Sequence, residues 1–210
     1  MITIYHLDRS RSERAVWLME ELGEPYEIEH FDRDEKTLSA EPAYKKLHPL
    51  GSSPVIKAEG KILAESGAVI EYLATTLGGG RLAVKPGAAN YMDYLYWFHF
   101  GESTLMPQIV SEIMSEAGGV PYDNAGRQYA RARAAQLLSF VDERLSQVEY
   151  LAGEFTAADI MVSFVFTTTR LFVPLDLEPY PNIRAYVERI GARPAYQRML
   201  PIAGPNRVRE

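Results

Sequence analysis

The feature that most constrains this chain is an abrupt change of hydrophobic period after its first third. Up to Leu77, short alternating or β-branched runs are interleaved with helically spaced apolar residues. Beyond the glycine- and proline-bearing stretch "GGGRLAVKPGAAN" (residues 78–90) no strand pattern recurs. Strands show a period of two and helices one of 3.6, so a single continuous sheet is excluded. The chain calls for a small α/β part followed by an all-helical part.

Within the first part, "ITIYHL" (residues 2–7) reads as a short buried strand because β-branched and aromatic residues dominate it. Ala15, Leu18, Met19 and Leu22 then share one helical face, and Gly23 is a natural stop. After Pro25, Tyr26, Ile28 and His30 alternate with Glu27, Glu29 and Phe31, the pattern of a strand near a sheet edge. "SPVIKAEGKILAE" reads as two strands joined by a tight turn at Glu59–Gly60. From Ser66 to Leu77, Val69, Ile70, Leu73 and Leu77 line one helical face, and the glycines at 78–80 end it. The expected organisation is an α/β domain over 1–78, a linker over 79–87 and an all-helical domain over 88–210.

In that second part, Tyr91, Tyr94, Leu95 and Phe98 predict a helix ending near Pro107. Leu138, Val141, Leu145 and Val148 predict another, on a long helix starting near Asp123 or Asn124. The run "FTAADIMVSFVFTTTRLFV" is apolar almost all round, as for the central helix of a bundle. Thr156 and Asp159, three residues apart, form a capping-box variant. Ile183, Tyr186, Val187 and Ile190 give a further helix closed by Gly191.

Composition narrows the chemistry. A net charge of −6 argues against general nucleic-acid binding. There is no cysteine, which removes disulfides, thiolate metal sites and a cysteine nucleophile together. Any thiol chemistry would need a sulfur brought by a ligand. His6, His30, His48 and His99 show no H-x-x-x-H pairing, so no metal site is expected. No apolar run approaches the roughly 20 residues of a membrane span. The first residues lack the order of a secretory signal, so a cytoplasmic protein is expected.

One local feature stands out, the polar pair Glu65–Ser66 directly before an apolar helix. It reads either as a helix cap, with Ser66 capping and Glu65 beside the positive end, or as a site for a small charged molecule.

Four motifs at characteristic spacing resemble the cytosolic glutathione transferases, over almost the whole chain. They are "LDRSRSERAVWLMEELGEPYE" after the first strand, "HPLGSSPVI", "LAESGAVIEYL" and "LAGEFTAADIMV"; "YPNIRAYVERIGARPAYQ" resembles the closing helices of bacterial members. The resemblance implies a thioredoxin-like N-terminal domain and a C-terminal helical bundle, usually as a homodimer. It implies glutathione as co-substrate and a small, largely apolar electrophile as second substrate; charge, histidine spacing and hydropathy add no metal, nucleic acid or membrane as expected partner.

It also implies roles for particular residues. Glu65 and Ser66 would hold the γ-glutamyl amine and carboxylate. Ser53–Pro54 would be a cis pair whose serine backbone meets the ligand's cysteinyl backbone like an added strand. In serine-type members the activating serine stands four residues before an arginine, which with Arg14 gives Ser10; Ser12 and Tyr5 stand as alternatives. The glycyl carboxylate would meet a side chain of "RDEKTLSAEPAYKK", with Lys36 taken first, then Ser39, Lys45 and Lys46.

Lowering a thiol pKa by about two units from its usual value near 8.5 needs roughly 2.7 kcal/mol. One charge-assisted hydrogen bond beside a helix N-terminus supplies an effect of that order. Peroxide reduction, isomerisation and dehalogenation would use the same activated sulfur. The competing classes are a non-catalytic binding or scaffolding module of the same fold and a glutathione-independent carrier.

Overall fold

The structure, a computed structural model, describes residues 1–34 and 37–207. Packing divides the chain into two units: Met1–Ala83 together with the C-terminal segment from Ala192, and Val84–Gly191.

The first unit is built on a four-stranded sheet in the order β2–β1–β3–β4, with β1 (Ile2–Leu7), β2 (Tyr26–Phe31), β3 (Val55–Ala58) and β4 (Lys61–Ala64). β1 runs parallel to β2 and antiparallel to β3, and β4 is antiparallel to β3. The parallel pair is joined through α1 (Glu13–Leu22), as a parallel connection requires. Residues on both faces of the inner strand β1 are buried, Tyr5 and Leu7 on one and Ile4 and His6 on the other. β2, an edge strand, alternates half-buried and exposed positions over most of its length, matching its charged alternation. Glu59 and Gly60 both have positive φ, 52° and 77°, giving the tight turn that joins β3 to β4.

α1 buries almost its whole length, including Ala15, Val16, Leu18 and Met19, and ends at Gly23 in the left-handed conformation (φ 67°). It packs against α3 (Ser66–Thr76) and against α9 (Pro194–Ala203). A short α2 (Pro42–Lys45) precedes β3. The α9 contact carries Trp17 edge-on to Tyr196 at 4.9 Å and the Arg193–Glu21 ion pair at 2.7 Å. Arg198 also pairs with Glu20 at 2.7 Å. The last helix therefore belongs physically with the sheet unit, although its sequence reads as part of the helical domain. Its aromatic and basic residues complement α1 specifically, which periodicity cannot reveal.

The second unit holds α4 (Tyr91–Phe100), α5 (Met106–Ala117), α6 (Ala125–Gln147), α7 (Ala157–Ser163) and α8 (Pro181–Gly191). The predicted start of the long helix holds: Asn124 is the N-cap, and its side chain accepts from the Arg127 backbone N–H at 3.1 Å. The first helix of this unit does not stop at Pro107. A π-turn over Gly101–Leu105, with Met106 N–H bonded to the Gly101 carbonyl, carries it into α5. Proline fits there because its missing N–H falls in the first turn of α5.

The apolar run after Thr156 is not one long helix. α7 ends at Ser163, and Val165 and Phe166 then bond back three residues, to Val162 and Ser163. Thr167 and Thr169 donate their hydroxyls to the carbonyls of Ser163 and Val165, supplying hydrogen bonds outside the regular helical ladder. Among the described residues no helix is long and apolar enough to cross a membrane.

The Thr156–Asp159 capping box is complete and serves more than α7. Asp159, fully buried, accepts from Leu151 N–H at 3.0 Å, Thr156 N–H at 2.9 Å and the Tyr186 hydroxyl at 3.0 Å. Burial pushes its carboxyl up to about 6 against the pull of those bonds. It thus ties α7 to the preceding loop and to α8. Replacing one carboxylate oxygen by an amide turns a donor toward a donor. Asp159→Asn is expected to lower unfolding free energy by about 2–3 kcal/mol in denaturant titration, against about 1 kcal/mol for Thr156→Ala.

Candidate functional site

Strand register gathers the predicted site residues of the first unit. Tyr5 of β1 lies opposite Val55 of β3, and Val55 lies opposite Ala64 of β4. The chain reaches Val55 from Ser53–Pro54, leaves β1 two residues after Tyr5 into the Ser10 loop, and leaves β4 directly into Glu65–Ser66. Three loops therefore converge on one end of the sheet.

Ser10 lies in the turn between β1 and α1, buried, after Arg9 at φ 48°. Its hydroxyl is 2.7 Å from that of Ser53 and 2.8 Å from that of Ser12. It does not cap α1; Ser12 occupies the N-cap position, also without a side-chain cap bond. Instead the Ser12 hydroxyl contacts Leu7 N–H at 3.2 Å and His6 Nδ1 at 2.9 Å. Ser10 and Ser12 thus belong to one cluster, and Tyr5 is elsewhere. Tyr5 packs in the apolar cluster of Leu7, Ala40, Tyr44 and Val55, where burial and then Glu29 raise its phenol pKa.

The Ser53–Pro54 bond is cis, and both residues are buried. Glu65 is exposed at φ 76°, a conformation that costs a residue with a side chain on the order of 1 kcal/mol or more. Helix α3 begins at Ser66 with Glu65 at its N-cap, and no side chain caps it. The capping role expected for Ser66 is therefore absent. Its hydroxyl is buried and unpartnered, an unusual state for such a group. Lys36 lies outside the described residues. Of its alternatives, Lys45 donates to Ser39 Oγ at 2.7 Å and Lys46 is exposed.

Two residues passed over in the sequence join the cluster. Tyr44 is fully buried; its hydroxyl has no hydrogen bond of ordinary geometry, yet Ser53 is near enough to offset part of the rise that burial imposes. His6 is fully buried. Burial, then His30, Arg207 and Arg33, lower its pKa to about 3, with Asp8 opposing. A histidine one residue from the end of a strand was the available signal, but only the folded turn brings Ser12 onto it. A depression of about 690 Å³ in the helical unit, lined by Arg170, Asp176, Arg184 and Glu188, gathers none of the predicted site residues.

A thioredoxin-like sheet unit with a hydroxyl cluster at its cis-proline end, followed by a helical unit, defines a recognisable class. Residues 10–76 match the family model described as glutathione S-transferase, N-terminal domain, and residues 97–194 match glutathione S-transferase, C-terminal domain. The chain is 36% identical to glutathione S-transferase 3 of Schizosaccharomyces pombe, covering 93% of this chain and 85% of that one. It is 29% identical to glutathione S-transferase 1 of Saccharomyces cerevisiae, covering 93% and 92%. A solved glutathione S-transferase from Actinobacillus pleuropneumoniae superposes with a TM-score of 0.87 at 30% identity, covering 98% of this chain and 95% of that one. The chain belongs to the glutathione S-transferase family.

The low pKa of His6 makes a prediction about stability. The unfolded histidine titrates near 6.5, while the folded one stays neutral down to about 3. Between those values the unfolded state binds the extra proton, so folding loses about 1.4 kcal/mol per pH unit as pH falls. Urea unfolding of wild type is expected to show this slope below pH 6.5, and His6→Leu to flatten it.

Proposed function

We propose that this glutathione transferase activates the thiol of glutathione through Ser10 for attack on small apolar electrophiles. The observation that carries the reading is the placement of the buried Ser10 hydroxyl, 2.7 Å from Ser53. It stands at the sheet end where the cis-proline loop and the start of α3 also arrive. The Ser53 backbone, next to Pro54, would pair with the cysteinyl backbone. Glu65 would take the α-amine, while Ser66 and the free amides at the start of α3 would take the α-carboxylate. The buried, unpartnered Ser66 hydroxyl and the uncapped helix start suit an anion, and the strained Glu65 backbone suits a residue held for binding. Lys36 is proposed for the glycyl carboxylate. No step here calls on a metal. A homodimer acting in the cytoplasm completes the reading.

Chemically, Ser10 would not be a nucleophile. Its O–H would donate to sulfur as charge develops there, favouring thiolate over thiol and raising the fraction able to attack. The test is a titration of bound glutathione, following ultraviolet absorbance of the thiolate against pH. Wild type is expected to form thiolate below pH 7.5. Ser10→Ala is expected to shift the midpoint up by about two units, toward the free-thiol value near 8.5. Equal midpoints in the two proteins would transfer the role to Ser12. Absence of binding in wild type would favour the non-catalytic module.

Glu65 gives an independent check, because strain and binding oppose each other there. Glu65→Gly relieves a backbone cost of about 1 kcal/mol. Its melting temperature is expected to hold or rise, while glutathione affinity falls about tenfold or more with loss of the amine's partner. A fall in melting temperature with unchanged affinity would remove Glu65 from the site.

A further inference from the structure

His6 is fully buried and touches the hydroxyl cluster through Ser12. Its Nδ1 is 2.9 Å from Ser12 Oγ, while Nε2 is buried with no partner. On the neighbouring strand His30 lies in register with it, ring centroids 5.5 Å apart and edge to face. The charged groups that bear on it are Arg33, Arg207 and Asp8. Burial, His30 and the two arginines outweigh Asp8 and keep the ring neutral, so one of its nitrogens carries hydrogen and the other is bare.

Each serine hydroxyl has one hydrogen and accepts two. Leu7 N–H occupies one acceptor position on Ser12. If Nδ1 is bare, Ser12 must give it the hydrogen. Ser12 then takes the hydrogen of Ser10, and Ser10 presents only lone pairs to Ser53. In that arrangement Nε2 also holds a buried N–H with no acceptor, a rare and costly state.

If Nδ1 carries the hydrogen instead, it fills the second acceptor position on Ser12. The Ser12 hydrogen then goes to Ser10 at 2.8 Å, in preference to the Leu7 carbonyl at 3.4 Å. Ser10, accepting that hydrogen and the Ser12 backbone N–H at 3.3 Å, has both acceptor positions filled. Its own hydrogen must point the other way, toward Ser53. The unpartnered Nε2 is then a bare lone pair, the cheaper of the two orphans.

We infer that His6 is a positioning residue, whose Nδ1–H directs the chain His6→Ser12→Ser10 so that the Ser10 O–H is aimed as a donor toward Ser53 and the cis-proline loop. This rests on the reading that Ser10 serves the sulfur. A thiolate accepts and does not donate, so a Ser10 whose hydrogen goes to Ser12 would offer it only lone pairs. The same serine is useful or useless according to a tautomer set on the far side of Ser12.

Nitrogen-15 NMR of the histidine ring in wild type without ligand tests the direction itself. A protonated Nδ1 and bare Nε2 between about pH 5 and 8 are expected, and the reverse tautomer would overturn the inference. Thiolate titration then tests the consequence. His6→Leu removes the donor and leaves the Ser12 hydrogen free to choose, so the bound-thiol midpoint is expected to rise by about one unit, a tenfold loss of thiolate at lower pH. Glutathione affinity should change less than twofold. His6→Asn, which offers an N–H near the Nδ1 position, is expected to restore most of the shift. A His6→Leu midpoint equal to wild type would overturn the positioning role. An unchanged midpoint in Ser10→Ala would instead overturn the underlying reading of Ser10, whatever the tautomer. If His6→Leu does not fold, the tautomer and the His6→Asn midpoint still decide, and an Asn midpoint as high as that of Ser10→Ala counts against the inference.

Discussion

The pairing of β3 between β1 and β4 is the constraint on which the site depends. A single row of opposed residues, Tyr5, Val55 and Ala64, fixes where three loops leave the sheet. Slipping either pair by one residue would turn every side chain on the strand to the other face, putting Val55 and Tyr5 out of the apolar cluster they share with Leu7 and Tyr44. The core therefore locks the register, and the register places Ser10, Ser53 and Glu65. The geometry of the candidate site rests on packing a few residues away, where Val55 and Ile56 are fully buried.

The cluster itself is an unusual concentration of hydroxyls in a buried place. Three serines lie within hydrogen-bond distance in a row, with a neutral histidine at one end and a tyrosine near the other. In an apolar setting an unsatisfied hydroxyl is costly, so such a row persists by satisfying itself internally. That leaves the hydrogens with few arrangements. The start of α3 works in the opposite sense. There the Ser66 hydroxyl and the helix end lack side-chain partners, and the Glu65 backbone is held at positive φ. One part of the site is organised in advance and the other has unmet hydrogen-bonding capacity.

The helical unit shows how a buried carboxylate can tie elements together without chemistry. Asp159 holds the start of α7, the loop at Leu151 and Tyr186 of α8 at once. A second tie, Arg127 with Glu112 at 2.8 Å, links α6 to α5, and Tyr122 lies under the guanidinium at 3.8 Å. These groups answer needs of packing, which is why perturbed ionisation alone does not mark a functional residue here.

The succession of elements is legible along the chain, because period, turn residues and caps are local. Ile2–Leu7, the turn at Glu59–Gly60, the cap at Asn124 and the box at Thr156–Asp159 all stand where local chemistry puts them. Motif spacing also pointed to the family and to the segments proposed to carry its site. Where local rules compete, the outcome depends on packing between distant segments. Threonine hydroxyls bonded to the carbonyls behind them accompany the early end of α7, and a π-turn carried α4 past the predicted stop at Pro107. The packing of α9 on α1 depends on Trp17 meeting Tyr196, a match across most of the chain. His6 reaches Ser12 only once the turn after β1 has closed, and Ser66 proves not to be a cap only once Glu65 has taken that position. Hydrogen bonds between residues brought together by folding have no period along the chain, so they cannot be read from it.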